Sequence, residues 1–167
     1  MDDGSMTLII ALVFLVACSA FFSASETAFS SLNQIRLKSR AEDGDASAAR
    51  VLAMAEKYDK LLSTILIGNN IVNIAAASIG TILFTRALGA ERGATMSTIV
   101  LTIVVLIFGE VTPKSLAKEM PETVATAVSP MLNLLMVLFT PLTWLFSQWK
   151  RLLGHFVHST EEDTITE

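Results

Sequence analysis

Apolar and polar positions fall along this chain in long blocks. Residues 8–22 are almost unbroken apolar, 33–60 are charged, 61–84 are apolar again, 86–93 form a short polar interruption, and 94–109 return to apolar before Glu110. At about 1.5 Å of rise per residue, each apolar block with its flanks reaches the roughly 30 Å of a bilayer's hydrocarbon core. The pattern predicts an all-α integral membrane protein: three transmembrane helices, short cytoplasmic helices in the charged block, and a juxtamembrane helical belt over 122–149. Within the charged block, Gly44 reads as a helix stop and Asp45 as the N-cap of an Ala-rich helix. Residues 122–149 are long enough to cross, but Pro130 and Pro141 interrupt them, and Trp144, Trp149, Lys150 and Arg151 read as an interfacial anchor.

Composition fixes the solvent. With 52% hydrophobic residues and a mean hydropathy of +0.58 over 167 residues, the chain has more apolar surface than one soluble core could bury. The net charge of −4 is modest and its Lys and Arg are scattered in short segments, so nothing points to a nucleic-acid partner. Those cations report topology instead. Six of the twelve lie in 33–60, which places that block in the cytoplasm, the N-terminus outside and the C-terminus cytoplasmic. A belt leaves ten Lys and Arg inside against two outside, whereas a fourth span leaves eight against four; the belt is preferred. Cys18, the single cysteine, excludes an internal disulfide and a cysteine-built zinc site. His155 and His158 read as surface residues, and residues 1–5 as an appended remnant.

Three polar clusters interrupt the apolar blocks. Glu110 sits at membrane depth, where an ionisable group costs on the order of 2.5 to 3.5 kcal/mol on insertion scales. It is either half of a structural ion pair with Lys114, four residues on, or the single anionic ligand of a cation. Ser19, Ser23, Glu26 and Ser30 recur at helical spacing as a polar stripe, the alternative being packing serines bonded to their own helix. Asn69, Asn70 and Asn73 put three carboxamides in an apolar helix, the alternative being interhelical hydrogen bonding. Pro113 should kink or break the third helix and free carbonyls beside Glu110. Counted inward from the outer helix ends, Ser23, the asparagines and Glu110 all lie roughly 23 to 24 Å deep. Such a shared level points to one polar cavity. Hydroxyl, carboxamide, backbone and carboxylate oxygens are hard donors, suited to magnesium, calcium, manganese or sodium and not to copper or zinc. The donor set does not choose between magnesium and sodium. An intramembrane hydrolase built on Ser25 and Lys114 lacks any legible oxyanion hole, so the chain reads as a non-enzyme.

The segments FFSASETAFSSL, LLSTILIGNNIVN and FGEVTPKSLA, in that order, closely resemble the membrane domain of the CNNM/CorC family. The resemblance covers about residues 7–153. It implies magnesium transport, described as sodium-coupled export, by a homodimer in membrane lipid, with cytoplasmic CBS domains that bind ATP. Carried over by motif, Ser23, Asn69, Asn70, Asn73 and Glu110 would be ion-binding positions, with Ser19 a second-tier candidate. Gly109 and Pro113 would shape the break. The domain is expected over 6–153, with 154–167 beginning a linker to CBS domains absent from this chain, so ATP is expected only there. The competing function is a non-transporting membrane anchor or magnesium sensor that sets dimer conformation.

Overall fold

The structure, a computed structural model, describes residues 3–149; Lys150, Arg151, His155 and His158 lie outside the described residues. Every element is helical. In chain order they are α1 (Asp3–Ser30), α2 (Gln34–Glu42), α3 (Ala46–Ala55), α4 (Tyr58–Leu88), α5 (Ala90–Val104), a π-helical segment (Val105–Val111), α6 (Thr112–Glu119) and α7 (Pro121–Leu138), followed by a helical stretch over 140–149.

Local chemistry sets the boundaries of the small helices. Asn33 caps α2 by accepting the Arg36 amide at 3.1 Å. Asp45 caps α3 as expected, its Oδ1 accepting from Ser47 and Ala48 amides at 2.9 and 3.1 Å, after Gly44 turns the chain at a φ of 95°. The polar interruption at 86–93 is helical except at one residue. Helix α4 runs on to Leu88 and α5 starts at Ala90, leaving Gly89 alone, at a φ of 82°, to reverse the chain.

α1 and α4 run antiparallel, with Gly4 against Arg86, Ser19 opposite Asn69 and Phe22 on Gly68. Four helical stretches, 4–30, 58–88, 90–119 and 121–138, are long and apolar enough to cross a membrane by length and composition. The fourth, α7, is tied differently from the others. At its start, the Glu122 carboxylate meets Arg36 at 3.5 Å and Arg40 at 3.2 Å, both on α2. Just past its end, Thr140 accepts from Lys60 Nζ at 3.1 Å, in the first turn of α4. Both ends of an element about 27 Å long are therefore held at the end of the bundle that carries α2 and α3. It runs across that end, as a belt does. Leu132 and Met136 of α7 join Phe29, Leu37, Val51 and Leu61 in the main buried cluster. Elsewhere the long helices present Phe14, Ile74, Ile99, Ile103 and Phe108 outward, as lipid-facing surfaces do.

Pro113 does not break the third long helix. The chain widens into the π segment, where the Thr112 amide reaches back five residues to Ile107 O, and then resumes as α6 with proline in its first turn. A proline is tolerated there because its missing donor falls where the hydrogen-bond ladder is already changing register.

Candidate functional site

Ser19 and Ser23 lie one turn apart on α1, and each is 1% exposed. Ser19 Oγ donates to Asn69 Oδ1 at 3.2 Å, and Asn73 Nδ2 donates to the same oxygen at 3.5 Å. Gly109, on the π segment, completes the contact from the third helix. A Cβ at 109 would lie 3.0 Å from Ser19 Oγ, so the absence of a side chain lets the two helices close there. The next residue, Glu110, shares a groove with Asn73 between α4 and the α5–π helix. Ser19, Asn69, Asn73, Gly109 and Glu110 thus meet at one level, with Ser23 one turn, about 5 to 6 Å, toward the α2–α3 end.

Two oxygens at this site are buried without a hydrogen-bond partner among the described residues: Ser23 Oγ and Asn73 Oδ1. A buried polar atom left unpaired costs about 1 to 3 kcal/mol, so these two oxygens, Asn73's in the groove that holds Glu110, ask for a ligand. Glu110 itself forms no ion pair among the described residues. Lys114, the partner its spacing suggested, has its Nζ 3.1 Å from Glu26 Oε2 instead. That pairing joins α1 to α6 one to two turns below the site.

Other expected positions fall elsewhere. Asn70 is exposed, and its amide donates to Leu66 O at 3.0 Å, so it stands outside the cluster. Of the α1 stripe, Ser30 is also exposed, bonded to Thr27 O. Ser25 Oγ donates to Phe21 O at 2.7 Å while Lys114 is held by Glu26, so the two do not form a nucleophile and base pair. Sequence reading passed over Thr81, Ser97, Thr98 and Thr102, which line the groove that ends at Glu110. The available signal was the spacing of Thr98 and Thr102, one turn apart in an apolar helix.

Among the described residues no three His, Cys, Asp or Glu side chains converge. The donors gathered here are one carboxylate, two carboxamides and two hydroxyls, a set for hard cations. These features define a multi-pass helical membrane protein with an oxygen-lined site between its long helices. The chain belongs to the Cyclin M (CNNM) transmembrane N-terminal domain family, which it matches over residues 10–167. It is 47% identical over 135 residues to the UPF0053 inner membrane protein YfjD of Escherichia coli K12, and 40% identical over 151 residues to a UPF0053 protein of Haemophilus influenzae. To the Polyamine export protein of Escherichia coli K12 it is 32% identical over 151 residues. These matches cover 81%, 90% and 83% of this chain but 31%, 36% and 34% of the relatives, so the chain spans about a third of their length.

Proposed function

We propose that this chain is the membrane domain of a magnesium transporter, with sodium-coupled export as its mode. The observation that carries the reading is two buried, unpartnered oxygens, Ser23 Oγ on α1 and Asn73 Oδ1 on α4, the second sharing a groove with Glu110, which no cationic side chain among the described residues pairs. Glu110 supplies charge, while Ser19, Ser23, Asn69 and Asn73 replace water around a dehydrated ion. Asn69 Oδ1 gives up its two hydrogen bonds when it turns to the ion. Pro113 supports the set by withholding an N–H from the carbonyls of Phe108 and Gly109, one turn back. The basic α2–α3 end faces the cytoplasm. A homodimer, implied by family membership, would shelter the carboxamide of Asn70, which is otherwise costly against lipid.

Thermal unfolding across a magnesium titration, with calcium and sodium in parallel, tests this on the wild type and Glu110→Gln. Binding to the folded state alone raises stability by about 2.7 kcal/mol at a hundredfold excess over Kd. A magnesium-dependent rise in Tm is expected in the wild type and not in the variant; no rise in either overturns the reading. Proteoliposome flux separates a transporter from a sensor that binds without moving the ion. A second reading is favoured by the open groove that ends at Glu110, together with a relative named as a polyamine exporter. A protonated amine would then pair with Glu110, and putrescine or spermidine would replace magnesium in the titration.

A further inference from the structure

We infer that the groove between α4 and α5 is a water-filled conduit that carries a hydrated cation between Glu110 and the end of the bundle opposite α2 and α3. The inference deepens the transport reading by giving its site a route. Ser97 is the anchoring observation: it is 1% exposed, lines the groove, and its Oγ has no hydrogen-bond partner among the described residues. Asn73 Oδ1, equally unpartnered, lies at the other end beside Glu110. Ser97 precedes Glu110 by thirteen residues, about 20 Å of helix.

The hydroxyls between them are oriented. Thr81 Oγ1 donates to Ala77 O at 2.9 Å and Thr98 Oγ1 to Ala94 O at 3.0 Å, so their protons are committed to their own helices. What they can offer the groove is lone pairs. A hydrated cation presents the opposite complement, since its inner waters point their hydrogens outward. Two hydroxyl acceptors leading to a carboxylate, in a groove that Ala77, Leu101, Val105 and Leu106 also line, therefore suit a hydrated cation better than an anion. Space permits it: the groove measures about 310 Å³, against roughly 180 Å³ for six waters at about 30 Å³ each. On the α2–α3 side of the site the ring of Phe22 packs over Gly68, closing α1 on α4 there.

The test is thiol labelling of this chain reconstituted in proteoliposomes, in a Cys18→Ala background, with a charged, membrane-impermeant methanethiosulfonate. Thr98→Cys and Thr102→Cys line the groove, whereas Ile99→Cys and Ile103→Cys, also exposed on the same helix, lie outside it. A thiol needs water to ionise, so the two groove positions should react at least about tenfold faster than the two isoleucine positions. Equal rates at all four positions, or groove rates as slow as the isoleucine ones, would mean that an acyl chain fills the groove and would overturn the conduit. Ser97→Leu supplies a second readout, with magnesium-dependent stabilisation kept and flux lost; flux at the wild-type rate would equally overturn it. Neither labelling outcome depends on whether Glu110 binds magnesium, so the transport reading stands or falls separately on Glu110→Gln.

Discussion

A methyl group placed on Gly68 would clash with the edge of the Phe22 ring. Gly68→Ala therefore drives Phe22 out of its seat, and overpacking of this kind costs about 1 to 3 kcal/mol. A lowered Tm is expected, partly recovered in the Gly68→Ala/Phe22→Leu double variant, because the two side chains contend for one space. Lys114 makes a sharper test. Its partner is Glu26, and with the two side chains 43% and 34% exposed the pair is worth about 0.5 to 1 kcal/mol. A double-mutant cycle should return coupling of that size for Glu26 and Lys114 and none for Glu110 and Lys114. The spacing of 110 and 114 was legible in the sequence; the preference for Glu26 was not. Helical periodicity names neighbours on one helix, while the partner came from a helix at the other end of the chain. Asn70 shows the same limit. Three clustered carboxamides were visible, but only packing decides which of them turns inward.

At the scale of elements, the short helix α3 depends on one carboxylate. The amide of Ala48, then the guanidinium of Arg40, hold the carboxyl of Asp45 below its ordinary range. A group depressed on folding contributes stability above its unfolded value and loses it as pH falls through the folded one. Hydrogen-exchange protection of the first turn of α3 should therefore decline as pH drops below about 4. Asp45→Asn, which cannot titrate, should show no such step. This cap was readable from Gly44 and Asp45 because capping is local chemistry. The π segment was not. A proline announces a missing donor, yet whether the helix breaks or widens depends on what packs against it, and here Ser19 presses on Gly109 from α1.

The whole molecule is anchored at one end. Its main buried cluster gathers the end of α1, the start of α4 and the helices α2, α3, α6 and α7, while the long helices beyond turn many of their apolar faces outward. Blocks of hydropathy and the basic segment 33–60 made this all-helical membrane architecture legible from the sequence. The belt has its own test. Thr123→Cys near the start of α7 and Ser147→Cys past its end, both exposed, should be labelled by an impermeant reagent from the same face of sealed vesicles. Labelling from opposite faces would mean that α7 crosses.

Gly89 carries one more consequence. A single-residue link spans two Cα steps of about 3.8 Å each, too short to let α4 and α5 slide past one another by a helical turn. The two helices are tied as a hairpin that, with the π segment, bears Asn69, Asn73, Gly109 and Glu110, while Ser19 and Ser23 come from α1, joined to it in sequence through two short helices. In the proposed transport cycle, the ion's oxygen shell would be shared between that hairpin and α1, and its release would have to change how the two pack.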